Sequence, residues 1–189
     1  MAMGTSRRKR AALLAGVAAA AIATLVAVAA GGAQPGTAAE PWSQATIASG
    51  AATLSYPSSW RAIPGDAGTV SFALRGRHGL YAGYLNVTPR QGAERPSGWA
   101  AFRARRNTED GDREVRVVTS SEHVAFMAAR GSCVVDDYLS RVGSHPYREL
   151  ACIVAGRHGT SVFVGAALRG DWARLGPLVR HAAATFVER

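Results

Sequence analysis

After residue 41 the chain alternates between apolar and polar positions in short runs broken by glycine turns, a pattern that predicts β-strands joined in hairpins. Runs 45–48 and 52–56 flank Ser49-Gly50, and runs 70–75 and 80–87 flank Gly76-Arg77-His78-Gly79. A long run, 114–126, follows, then 133–139 and 147–155 around Val142-Gly143-Ser144, then 161–168 after Gly156-Arg157-His158-Gly159. Consecutive hairpins of this kind predict an antiparallel meander. Two segments carry helical spacing instead. Over 97–107, Trp99 and Phe102 share a face with Arg106, and Ser97 stands where an N-cap is expected. At the C-terminus, Trp172, Leu175, Leu178, Val179, Ala182, Ala183 and Phe186 fall on one arc, with Asp171 in the N-cap position. Pro177 marks either a kink or the first turn of a helix restarting after Gly176. The predicted class is α+β: an antiparallel sheet with a C-terminal amphipathic helix and a second short helix packed on it.

The first 33 residues follow different rules. Arg7, Arg8, Lys9 and Arg10 form a basic run, and residues 11–33 carry no charge. Ala11 to Ala30 combines seven large aliphatics with eleven alanines, Gly16 and Thr24. A basic flank ahead of a hydrophobic helix directs a chain into a membrane with its N-terminus retained inside. The run is long enough to span a bilayer, and Gly31 and Ala33 also suit a cleavage site before Gln34. A signal peptide and an N-in membrane anchor therefore both remain open for residues 1–33. Residues 34–41 read as a linker, and residues 42–189 as the extracytoplasmic domain, large enough to bury its own core.

The chain has 22 basic and 13 acidic residues, a formal charge of +9. Setting the N-terminal four aside leaves 18 basic residues, a balance of +5. Charged residues make up 19% of the chain, which excludes a disordered polyelectrolyte. A single long apolar run excludes a multi-span membrane protein. The export signal and the lack of a reader motif exclude a nucleic-acid partner. The membrane, through residues 11–30, and an envelope lipid or envelope protein are the partners these features allow.

Two cysteines, Cys133 and Cys152, support the strand map. If they lie opposite one another, the same register pairs Tyr138 with Tyr147 and Asp137 with Arg148. It also sets Asp136 against Glu149, a like-charge pair that opposes it. An oxidising compartment favours a structural disulfide across this hairpin.

Leu54-Ser55-Tyr56-Pro57-Ser58-Ser59-Trp60 resembles the Tyr-Pro-x-x-Trp segment near the start of PsbP-like domains. The C-terminal run 162–168 followed by a helix from Trp172 to Phe186 is similar to theirs. The pattern looks closest to small exported actinobacterial envelope proteins of the LpqN type, and the arginine-for-lysine, alanine-rich composition agrees with such a source. The chain lacks the lipid-bearing cysteine that many of those proteins carry. The resemblance implies a PsbP-like sandwich serving as a binding or accessory module, with no shared catalytic constellation to carry over.

The remaining chemistry is sparse. The five histidines lack metal-ligand spacing, so no metal is expected, and no cofactor motif is present. No Gly-x-Ser-x-Gly elbow stands ready for nucleophilic catalysis. The candidate ligand-binding residues are Trp60, Tyr81, Tyr84 and Trp99, which also suit an ordinary core. The two Gly-Arg-His-Gly turns offer Arg77, His78, Arg157 and His158 as candidate anion-binding residues, should both turns share one edge. The expected function is a non-enzymatic extracytoplasmic binding or accessory role, with an envelope-lipid or glycan hydrolase as the alternative.

Overall fold

The computed structural model describes residues 40–189, so the expected N-terminal hydrophobic helix lies outside the described residues. Among the described residues no helix is long and apolar enough to cross a membrane. Among the described residues ten strands and two α-helices follow one another: β1 (Trp42–Thr46), β2 (Ala52–Pro57), β3 (Arg61–Ala62), β4 (Val70–Arg75), β5 (Tyr81–Pro89), α1 (Trp99–Glu109), β6 (Arg113–Ala125), β7 (Arg130–Leu139), β8 (Pro146–Ala155), β9 (Thr160–Leu168), α2 (Trp172–Ala184) and β10 (Val187–Glu188). They form an antiparallel seven-stranded sheet, ordered β3-β4-β5-β9-β8-β7-β6, and a three-stranded sheet, ordered β1-β2-β10.

This order corrects the simple meander. After β5, the chain crosses through α1 to the far edge and returns as β6 to β9, so that β9 ends up paired with both β8 and β5. The sheet is thus two hairpin systems closed by one strand. The first hairpin, β1–β2, leaves the large sheet and takes β10 as a third strand, an element hidden from the sequence by its two-residue length.

The β7–β8 register is the one the cysteines imply: Cys133 faces Cys152, Tyr138 faces Tyr147, Asp137 faces Arg148 and Asp136 faces Glu149. The two cysteines are joined in a disulfide with their Cα atoms 4.1 Å apart, the close approach expected of a directly opposed pair.

Strand alternation sends side chains to two different cores. In β8, Leu150, Cys152 and Val154 face α2 and join Leu54, Leu85, Phe163, Leu175, Val179 and Phe186. Ala151 and Ile153 face the other way and join Val134, Val164 and Trp99 under α1. The sheet is therefore covered by α2 and the small sheet on one side and by α1 on the other. Close packing under α2 depends on Gly165, where a Cβ would come within 2.6 Å of Val179.

The helix termini differ from expectation. α1 starts at Trp99 behind Gly98, which sits at φ 71°, a left-handed conformation suited to glycine, and Ser97 does not cap it. Asp171 precedes α2 without a capping bond, because its carboxylate binds Arg174 at 2.9 Å. α2 runs through Gly176-Pro177 as one helix and ends at Ala184, before Phe186.

Candidate functional site

The α1 side of the sheet carries a groove of about 780 Å³. Its floor comes from β5 and β9, one wall from α1, and its rim from residues 63–66 and 91–94. Alternation along β5 turns Tyr84, Asn86 and Thr88 into it, while Leu85 and Val87 point to the opposite core. Val162 and Val164 of β9 and Trp99 and Phe102 of α1 complete an apolar strip. The Trp99 and Phe102 rings stack with centroids 5.6 Å apart.

Three of the four expected lining residues meet here: Tyr81, Tyr84 and Trp99. Trp60 does not. It is buried on the α2 side, where its ring lies 3.1 Å from the position a Cβ on Gly83 would occupy. Trp60 sits in the turn after β2, and the strand that follows it, β3, is only two residues long, so no alternation reveals which face Trp60 takes.

Behind the groove lies a polar network that hydrophobic periodicity could not reveal. Trp99, Arg103 and Asn107 are four residues apart and form one stripe of α1. Each makes a bond to the sheet. The Trp99 indole donates to Ala151 O at 2.9 Å, the Arg103 guanidinium to Glu149 at 2.6 Å, and the Asn107 amide to Asp136 at 3.3 Å. The sequence suggested a face of Trp99, Phe102 and Arg106. Arg106 instead leans outward to Asp110 at 3.2 Å. A helix face turned to two buried carboxylates needs donors, and Arg103 and Asn107 supply them. The one available signal was the like-charge pair Asp136–Glu149 in an otherwise favourable register.

Glu149 is 1% exposed and accepts from Tyr84 and Tyr138 as well as from Arg103, each hydroxyl at 3.4 Å. Burial, reinforced by the Glu149 charge, raises the Tyr84 hydroxyl far above its ordinary value and keeps it a donor. Burial opposes the charge on Arg103, but Glu149 beside it outweighs burial and holds the guanidinium protonated. Asp136, with one oxygen lacking any partner, is pushed up to about 8 by burial first and by Glu149 second. The network thus fixes Tyr84 and Arg103 at the groove wall in one arrangement.

The two Gly-Arg-His-Gly turns are not brought together. The β4–β5 turn adjoins the end of β9 and the β8–β9 turn adjoins its start, so Arg77 and His78 lie at the opposite end of the sheet from Arg157 and His158. Among the described residues no group of three or more His, Cys, Asp or Glu side chains is placed to hold a metal ion.

No protein-family model and no curated protein matches the chain. Solved structures do. The chain is similar to the solution structure of cyanobacterial PsbP, CyanoP, from Synechocystis sp., with a TM-score of 0.56 and 16% identity over 84% of this chain and 98% of that one. It is also similar to the Ran-binding protein Mog1p of Saccharomyces cerevisiae, with a TM-score of 0.50 and 11% identity over 77% and 89%. LpqN of Mycobacterium tuberculosis, described as involved in cell envelope biogenesis, matches at a TM-score of 0.45 and 10% identity over 79% and 86%, too distant to carry an argument. At these identities the likeness establishes the fold, which is PsbP-like.

Proposed function

We propose that residues 42–189 form a non-enzymatic, extracytoplasmic binding domain of the bacterial cell envelope, and that the groove beside α1 takes an amphipathic small molecule such as an envelope lipid. The observation that supports this most is the groove itself. Its volume of about 780 Å³ falls within the range of about 300–1,000 Å³ usual for ligand pockets. Trp99, Phe102, Val162 and Val164 offer an apolar track, and Asn86, Thr88 and Tyr84 offer polar groups beside it. The donors behind the wall are already committed, so the site is pre-organised and binding would cost little ordering.

Export is supported by the basic-then-apolar leader and by the Cys133–Cys152 disulfide, which suits an oxidising compartment. Residues 1–33 either remain as the anchor or are removed after Ala33. Hydrolysis is the weaker reading, because a serine nucleophile needs a base beside it. The groove hydroxyls of Ser71 and Thr88 contact the Asn86 amide at 2.8 and 2.9 Å instead.

Native mass spectrometry of the protein taken from its own envelope tests the reading. A defined extra mass is expected, and Val162→Trp, which fills the groove opposite Thr88, is expected to remove it. Retention of that mass in Val162→Trp and in a Tyr81→Ala/Tyr84→Ala double variant would overturn the groove as the site. A bare mass would shift the reading to a protein partner.

A further inference from the structure

On the opposite face, three arginines from three separate elements converge on one carboxylate. Asp137 of β7 has a side chain 5% exposed. Arg148, its cross-strand partner on β8, binds it through two bonds, Nε to Oδ1 at 2.6 Å and an Nη to Oδ2 at 2.9 Å. Arg116 of β6 adds an Nη bond to Oδ2 at 3.2 Å, and Arg169, just after β9, brings an Nη to 4.0 Å from the same oxygen. The bidentate Arg148 fork alone satisfies Asp137. Arg116 and Arg169 are 71% and 55% exposed, and exposed ion pairs add little to stability. Gathering three guanidiniums around one carboxylate leaves two surplus positive charges side by side. That arrangement carries a repulsion which folding alone does not call for.

An anion resolves it. Each guanidinium has five N–H donors. Among the described residues only three of these fifteen are used, all on Asp137, which leaves about twelve free donors in planar forks. A phosphomonoester carries about −1.5 to −2 charge and three acceptor oxygens. Its charge matches the surplus, and its oxygens match the forks. We infer that Arg116, Arg148 and Arg169 form a phosphate-binding site, with Asp137 as the buried post that orients the three guanidiniums. The site is independent of the groove, from which the sheet separates it.

The source of the phosphate is either a small phosphorylated solute or a lipid headgroup. The test follows the arginine Nε–H resonances of the full chain in zwitterionic detergent. It titrates inorganic phosphate and, separately, dihexanoyl phosphatidic acid, against chloride at matched ionic strength. Saturable shifts confined to these three arginines are expected, with affinity about tenfold lower for R116Q and for R169Q. Preference for inorganic phosphate assigns a solute, and preference for the lipid assigns a headgroup. The charge-matched R95Q/R130Q variant, altered at exposed positions elsewhere, is expected to bind as the parent does. Absence of a saturable response to both probes overturns the site. So does a response unchanged in R116Q/R169Q, or an equal loss in R95Q/R130Q.

Discussion

Asp136 and Glu149 stand directly opposite each other on β7 and β8, with both carboxyls buried on the groove side of the sheet. Among the described residues a single cation, Arg103, reaches the pair, and it is committed to Glu149. One unit of negative charge is therefore balanced and a second is not. The proton held by Asp136 removes the second.

That proton makes stability depend on pH. An unfolded aspartate has a pKa of about 3.9, whereas folded Asp136 stays protonated up to about 8. Between those values the folded chain holds a proton that the unfolded chain has lost, so stability falls as pH rises. The slope approaches about 1.4 kcal/mol per pH unit for one full proton and levels off above the folded value. Asp137 is held low by its bond from Arg148, so its contribution is lost only as pH falls through the acid range, outside this window. Asp136→Asn is expected to flatten the slope. Urea midpoints of parent and variant at pH 5 to 9 check it. Parallel pH profiles would mean that Asp136 is already ionised in the folded protein.

Removing Arg103 should be severe. Arg103→Met leaves Glu149 charged and unpaired inside the protein, at a cost of about 3–5 kcal/mol. The double variant Arg103→Met/Glu149→Gln is expected to recover most of that loss. A double-mutant cycle in urea measures the coupling. A cost below about 1 kcal/mol would place the pair in effective contact with water.

The disulfide closes a span of 19 residues. Replacing both cysteines by alanine is expected to lower stability by about 2–4 kcal/mol. The check is the melting temperature of the parent with and without reductant, compared with the double variant. A reductant effect that persists in the variant would not come from this bond.

Gly165→Ala would push a methyl group against Val179 and Leu85, at 2.6 and 2.9 Å from the new Cβ. Overpacking of this kind costs about 1–3 kcal/mol. Val179→Ala in the same chain is expected to relieve part of it. Denaturation of the two single variants and the double variant measures this, and strict additivity would show that the contact does not form.

The β7–β8 hairpin was legible because three kinds of pair, a disulfide, a tyrosine pair and a salt bridge, agree on one register. The amphipathic arc of α2 was legible for a similar reason: its apolar residues repeat at helical spacing. Where packing used polar residues the pattern fell silent. α1 turns Arg103 and Asn107 inward, and nothing in hydrophobic periodicity marks an arginine as buried. Phe186 lies in phase with α2 yet follows its end, so it hid both the helix terminus and β10. The pairing of β5 with β9 joins residues some 80 positions apart across α1, and local pattern carries no record of such a partnership. Tyr81, Tyr84 and Trp99 stand out in the sequence as aromatics, but their gathering into one groove depends on that distant pairing.

The place of β9 in the sheet also sets the order in which the molecule can close. It is the last strand of the large sheet to emerge from a growing chain, yet it lies between β5 and β8. Until residues 160–168 arrive, the β3–β5 and β6–β8 hairpin systems exist as separate ribbons, each with an unpaired edge. The groove floor has no second half before then, and α2, which follows, has no complete face to cover. Assembly is therefore a late event that waits on about the last sixth of the sequence, from Thr160 onward. A chain interrupted before it presents two sticky edges rather than a smaller version of the domain.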